Sequence, residues 1–221
     1  MPPQKTSSLY GQSLVEELFN SLTHGFGLIL SVIGLPLLIT IASLYGTAMH
    51  IVSCSIYATT LVILYASSTC YHHSRSPRRK RFFHIMDHIS IYLLIAGSYT
   101  PFALVTLRGP WGWSLFGVVW GIALTGTIIK IFFTGRFDLL STLLYLAMGW
   151  IVVIAVVPLV RNLAPSGLAY LIAGGLAYSL GVIFYLWEKL PFSHAVWHLF
   201  VLAGSVFHYY AIMFYVVPLS H

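Results

Sequence analysis

The sequence predicts an all-α integral membrane protein with seven transmembrane helices. Hydrophobic residues make up 58% of the 221 residues and charged residues only 7%, whereas soluble domains carry about 25% charged residues. The mean hydropathy is +0.88. The apolar runs are continuous rather than alternating, so they predict membrane-spanning helices. This composition excludes a water-soluble globule, a disordered chain and a disulfide-rich scaffold.

Residues 1–23 form the predicted N-terminal segment. They are mostly polar and contain no apolar core of a cleavable signal peptide. Leucines recur every four residues within residues 14–22, and Ser13 with Glu16 fits a capping box. This pattern predicts a short interfacial helix ahead of the first span.

The transmembrane domain is predicted over residues 24–217, followed by an external tail at 218–221. Stretches without Asp, Glu, Lys or Arg have the length of about 20 residues that a bilayer core of about 30 Å requires. The longest stretch is divided into two spans by Tyr45-Gly46-Thr47. Small residues at Ala173-xxx-Ala177-xxx-Gly181 and at Gly117-xxx-Gly121 predict close helix approaches. The predicted spans are 24–45, 49–71, 83–107, 112–133, 139–160, 167–187 and 194–217.

The basic residues predict the orientation of the bundle. Nine lie on the side of the N-terminus, five of them within residues 75–81, whereas only Arg108 and Arg161 lie on the other side. The positive-inside rule then places the N-terminus in the cytoplasm and the C-terminus outside. We interpret the net charge of +6 as a topology signal and expect no nucleic-acid partner.

Several histidines and their polar neighbours fall at one predicted depth. The second span ends with Ser68 and His72, the third begins close to Asp87, and the seventh begins with His194 and His198. Successive helices run in opposite directions, so these residues share a layer at the cytoplasmic edge of the membrane. Ser68 and His72 are four residues apart, as are His194 and His198, and each pair therefore shares a helix face.

This layer predicts a zinc site held by His72, His194 and His198, because three imidazoles and one open position are typical of catalytic zinc. Asp87 would balance the charge of the ion and its hydroxide, and Ser68 would contact a ligand or the bound water. Other interpretations stay open. Histidines near helix ends can reach the membrane interface, and an isolated pair spaced by four residues also fits packing.

Four further polar residues have no role that follows from the sequence. Glu17, Asn20 and His24 share one face at the start of the first span, where they either line the mouth of the site or cap the helix. His208 continues the polar stripe of the seventh span, which is expected to face the bundle interior.

At these residues the chain resembles the haemolysin III family, which belongs with the progestin and adipoQ receptors. The resemblance covers nearly the whole chain. It rests on Ser68-xxx-His72, Asp87-His88, the run 95–102, His194-xxx-His198, and Glu17 with Asn20 and His24.

The resemblance implies seven helices with an internal N-terminus. It also implies zinc bound by His72, His194 and His198, with Asp87 near the metal-bound water and Ser68 beside it. The wider superfamily includes alkaline ceramidases, which hydrolyse a lipid amide. The chain has few residues ahead of the first span, so we expect no receptor-type regulatory domain.

The leading hypothesis is a zinc-dependent hydrolase of a lipid amide or ester, with Asp87 and Ser68 as catalytic residues. One alternative is a non-enzymatic sensor or regulator of membrane state with structural zinc. Another is proton or ion transport, or a cytolytic pore as the family name suggests. Membrane lipids are the expected partners and a bacterial plasma membrane the expected location. The oligomeric state stays open.

Overall fold

The computed structural model describes residues 12–134, 137–187 and 189–217. Within these ranges the chain is all-helical, and seven helices are long and apolar enough to cross a membrane. The predicted all-α fold with seven membrane-spanning helices is confirmed, and its orientation in the membrane stays a prediction. Residues 1–11 of the predicted N-terminal segment and the predicted tail at 218–221 lie outside the described residues. The helices are α1 Leu14–Tyr45, α2 Ala48–His73, α3 Pro77–Leu107, α4 Gly109–Phe133, α5 Asp138–Asn162, α6 Pro165–Leu186 and α7 Ser193–Val216.

Helix α1 is continuous from its start, whereas the sequence suggested a short helix ahead of a span beginning at residue 24. The predicted capping box is present: the Glu16 N–H donates to Ser13 Oγ at 3.2 Å, and the Ser13 N–H donates to Glu16 Oε2 at 2.8 Å. Because the helix does not break, Glu17, Asn20 and His24 belong to the bundle and are all buried.

Three helices contain irregular turns. Helix α3 ends in a π-helical turn at Phe102–Leu107 and α7 in another at Ile212–Val216. Helix α5 changes from α-helix at Asp138–Trp150 to a 3-10 segment at Ile151–Ala155 and back to α-helix. Pro158 follows that segment, and the absence of its N–H removes one hydrogen bond of the regular helix.

The helices pack so that the first and last become neighbours. Helix α1 contacts α2 and α7, α2 also packs against α3, and α6 packs against α7. One apolar cluster, which includes Leu38, Tyr57 and Ile212, fills the space between α1, α2 and α7. Helix α5 makes smaller contacts with α3, α4 and α6. The starts of α1, α3 and α7 and the end of α2 therefore meet at one end of the bundle, which we call the N-terminal end.

Close helix approach occurs at a glycine that the sequence did not single out. A Cβ atom on Gly97 of α3 would clash with Thr60 Oγ1 of α2 and lie 2.9 Å from Thr60 Cγ2. At Gly117 and Gly121, where the sequence predicted a packing stripe, a Cβ atom would have no neighbour within 4 Å. Those two glycines are not in a tight helix contact within the described residues, whereas a Cβ atom on Gly181, in the other predicted stripe, would lie 2.7 Å from side chains of α7.

Candidate metal centre

Three histidines from two helices meet at the N-terminal end of the bundle. His72 lies in the last turn of α2, and His194 and His198 lie in the first two turns of α7. One ring nitrogen from each lies within 4.8 Å of the other two. The ring centroids are 5.1 Å apart between His72 and each of the others, and 4.6 Å apart between His194 and His198. The structure thus brings the three predicted ligands into one group.

Hydrogen bonds determine which nitrogen of two of these rings is available. His72 Nδ1 lies 2.8 Å from Glu17 Oε2, and His198 Nδ1 lies 3.2 Å from the Asn20 carbonyl oxygen. His72 Nε2 is buried and has no hydrogen-bond partner among the described residues. Since buried polar atoms are normally paired, this free nitrogen fits a metal ligand. His72, His194 and His198 could therefore hold one ion.

Ser68 and Asp87 lie next to this group. Ser68 Oγ is 2.7 Å from His24 Nδ1, and the Ser68 side chain also interacts with the Asp87 carboxyl group. Asp87 makes no ion pair within the described ranges, whereas Glu17 pairs with Lys80. A carboxylate at membrane depth without a cation is unfavourable. The placement of Asp87 is thus a second reason to expect a cation in this layer.

A cavity of about 640 Å³ borders the cluster, a volume typical of ligand sites. It reaches from Glu16 past Asp87, His194 and His198 to His208. His198 and His208 are ten residues apart on α7, which corresponds to about 15 Å along a helix. Side chains of α3, α5 and α6 form much of the wall beyond the histidines. The cavity has room for an apolar chain that extends away from the histidine cluster.

The polar residues at the start of α1 contact the histidine cluster and Ser68. The sequence did not predict these contacts. Glu17 reaches His72, the carbonyl of Asn20 reaches His198, and His24 bonds Ser68. The His24 ring also stacks on His198 with centroids 3.5 Å apart. Their shared helix face was the available signal. It showed that the three residues act on one side of α1 but not which partners they meet.

Lys80 was missed altogether. It belongs to the basic cluster 75–81 that we interpreted as a topology signal, yet it is only 3% exposed. Its Nζ lies 2.7 Å from Glu17 Oε1. The other basic residues of that cluster are exposed, so Lys80 alone points into the bundle from the first turn of α3.

The polar stripe of α7 continues away from the cluster. Ser205 Oγ accepts a hydrogen bond from Tyr65 at 2.8 Å and lies 2.9 Å from the Tyr178 hydroxyl oxygen. His208 Nε2 lies 3.3 Å from the carbonyl oxygen of Leu171. Ser205 and His208 are both buried, so the stripe faces the bundle interior, as the sequence predicted.

Comparison with known proteins identifies the family. A family model described as "Haemolysin-III related" matches residues 12–209. The chain belongs to the haemolysin III family. The resemblance inferred from the sequence motifs is thereby confirmed, and the matched range contains every residue of the histidine cluster and its surroundings.

Bacterial members of the haemolysin III family align over almost their full length. "Hemolysin-3" of Bacillus cereus is 50% identical over 207 residues, which is 94% of each chain. "Hemolysin-3 homolog" of Bacillus subtilis (strain 168) is 47% identical over 205 residues, which is 93% of this chain and 96% of the relative. "Monocyte to macrophage differentiation factor" of Homo sapiens is 31% identical over 214 residues, which is 93% and 87% of the two chains. With the seven apolar helices, these relatives identify an integral membrane protein.

Proposed function

We propose that the protein is a zinc-dependent intramembrane hydrolase that cleaves a lipid amide or ester. One observation carries the proposal. His72, His194 and His198 present ring nitrogens within 4.8 Å of one another, beside Asp87, Ser68 and a cavity of about 640 Å³. Ligands, a proton-transferring group and space for a lipid chain therefore occur together.

The chemistry follows from these side chains. Zinc held by the three histidines supplies a Lewis acid that polarises a carbonyl and lowers the pKa of water towards about 7. Asp87 accepts the proton of the attacking water and returns it to the leaving amine or alcohol. Ser68 donates a hydrogen bond to the developing oxyanion. Its single hydroxyl proton bonds the Asp87 carboxylate before the reaction and turns to the oxyanion once Asp87 has taken the proton of the water, while His24 Nδ1–H donates to Ser68 Oγ at 2.7 Å.

The shape of the cavity favours a membrane lipid as substrate. Because the histidines lie at the ends of helices long enough to cross a membrane, we expect them near the depth of the linkage between a lipid head group and its chain. An apolar chain would extend along α7 towards His208, past the side chains of α3, α5 and α6. The scissile bond would then lie beside Asp87 and His198 while the chain stays out of water.

Two linked measurements test this function. Metal content is measured by plasma mass spectrometry on detergent-purified protein and on His194→Ala/His198→Ala. Hydrolysis is followed with fluorescent ceramide and with a fluorescent phospholipid in the same preparations. We expect the double variant to lose both zinc and hydrolysis. Undiminished hydrolysis in a metal-free double variant would contradict the proposal.

A regulator with structural zinc is the second candidate. The observation in its favour is the close ring packing, in which His24 of α1 stacks on His198 of α7 while His72 of α2 completes the group. A metal bound by His72, His194 and His198 would join α2 to α7, and His24 would hold α1 against that joint. Zinc that raises the melting temperature, without hydrolysis of either lipid by the unaltered protein, would favour this function over the enzyme.

A further inference from the structure

A buried chain of polar contacts lies behind the histidine cluster. Glu17 of α1 uses both carboxylate oxygens: Oε2 lies 2.8 Å from His72 Nδ1 and Oε1 accepts from Lys80 Nζ at 2.7 Å. None of the three residues is more than 6% exposed. Three helices thus contribute one side chain each to a continuous contact that ends at a candidate metal ligand.

Lys80 is held in place from several directions. Its Nζ also lies 3.4 Å from the Tyr71 carbonyl oxygen and 4.6 Å from the centroid of the Tyr71 ring. The ammonium group therefore has an anion, a carbonyl and an aromatic face around it. Because the ion pair with Lys80 compensates its charge, Glu17 can remain an anion inside the bundle.

An anionic Glu17 fixes the state of the His72 ring. A carboxylate only accepts hydrogen bonds, so the proton of a neutral imidazole must sit on Nδ1, and Nε2 keeps its lone pair. Nε2 is the buried ring atom without a partner among the described residues. A carboxylate that bonds the outer nitrogen of a histidine in this way orients the ring and makes it a stronger ligand.

We propose that Glu17 is a positioning residue for the metal, and that Lys80 holds it in place. Glu17 sets both the tautomer and the direction of His72, which would otherwise have to order its ring when the ion binds. The inference rests on the metal site of the proposed function. It gives a role to Glu17 and Lys80, which take no direct part in the proposed hydrolysis.

The neighbouring glutamate provides a matched control. Glu16 also lies in the first turn of α1, but its carboxylate accepts from the backbone N–H groups of Ser13 and Phe192, at 2.8 and 3.2 Å. It is not bonded to any of the three candidate ligands. Glu16→Gln removes one carboxylate from the same helical turn and should leave metal affinity unchanged.

The test variant removes both buried charges. Glu17→Gln alone leaves the Lys80 ammonium buried without its anion, which could unfold the protein. Glu17→Gln/Lys80→Met removes the anion and the cation together. Zinc affinity is measured by competition with a chromophoric chelator, on metal-stripped protein in detergent. We expect the double variant to bind zinc about 10- to 100-fold more weakly than the unaltered protein.

A second readout separates positioning from a merely structural role. The tautomer of His72 is read from ¹⁵N NMR spectra of metal-free protein with ¹⁵N-labelled histidine. The His72 signals are assigned as those that disappear in the variant His72→Gln. The unaltered protein should show His72 with its proton on Nδ1, and the double variant a mixture of both tautomers. This measurement on the unaltered protein does not require any charge variant to fold.

The outcomes separate the two proposals. If the unaltered protein binds zinc and the double variant binds it equally well, the role of Glu17 is refuted and the metal site stands. A His72 proton on Nε2 in the metal-free protein also refutes it. If the unaltered protein binds no zinc, the proposed function fails and this inference fails with it.

Discussion

The packing of α2 against α3 should be sensitive to a single methyl group at Gly97. A Cβ atom there would clash with Thr60 Oγ1 and lie 2.9 Å from its Cγ2 and 3.0 Å from its Cβ. Thr60 has little freedom to rotate, because it is β-branched and its hydroxyl donates to the Tyr57 carbonyl at 2.7 Å. Gly97→Ala must therefore separate the helices or strain Thr60, at a cost of about 1–3 kcal/mol.

Gly117→Ala is the matched control, since its new methyl group would meet nothing within 4 Å. Alanine favours a helix over glycine by about 1 kcal/mol at both positions, so the difference between the two variants isolates the packing cost. Reversible unfolding in mixed micelles with increasing dodecyl sulfate measures the free energy. We expect Gly97→Ala to be less stable than Gly117→Ala by about 1–3 kcal/mol.

The cause of the loss can be tested by a compensating change. Thr60→Ala removes Oγ1 and Cγ2, the two nearest atoms, so adding it to Gly97→Ala should recover most of the lost stability. Equal stability of Gly97→Ala and Gly117→Ala would refute the steric argument. If adding Thr60→Ala to Gly97→Ala does not restore the free energy of unfolding, Thr60 is not the obstacle.

Three other changes have defined outcomes. Asp87→Asn should keep the zinc content of the unaltered protein while lipid hydrolysis falls at least about a hundredfold; loss of the metal instead would make Asp87 a ligand. With zinc at a hundred times its dissociation constant, a chelator should remove about 2.7 kcal/mol of stability from the unaltered protein and none from His198→Ala, as measured by thermal unfolding. Asp138→Asn should destabilise the protein more than Lys130→Met. Lys130 is buried and lies 3.2 Å from the half-exposed Asp138, so losing the carboxylate strands a buried cation; the opposite order in unfolding experiments would contradict this.

The seven-helix fold could be predicted because lipid leaves so few alternatives. Long runs without charge must be helices in a membrane, and consecutive helices must run in opposite directions. The same rule brought His72 to the depth of His194 and His198, although more than 100 residues separate them in the chain. The spacing of four residues then put His194 and His198 on one face of α7.

The contacts around the cluster could not be predicted, because they depend on how each helix is rotated about its axis. Glu17, Asn20 and His24 share a face, but only the packing of α1 against α2 and α7 shows that they meet His72, His198 and Ser68. Nothing in the sequence distinguishes the buried Lys80 from the exposed basic residues beside it. Gly97 is likewise important only because Thr60 stands opposite to it.

The division of the candidate ligands between α2 and α7 has a consequence for biosynthesis. A nascent chain that has inserted only its first six helices offers His72 but neither His194 nor His198. One imidazole is too few for tight zinc binding, so an ion held by all three histidines would bind only after α7 has brought His194 and His198 to His72 of α2. Metal uptake would then report that membrane insertion is complete, and a chain arrested before α7 would stay empty and be distinguishable from a finished one.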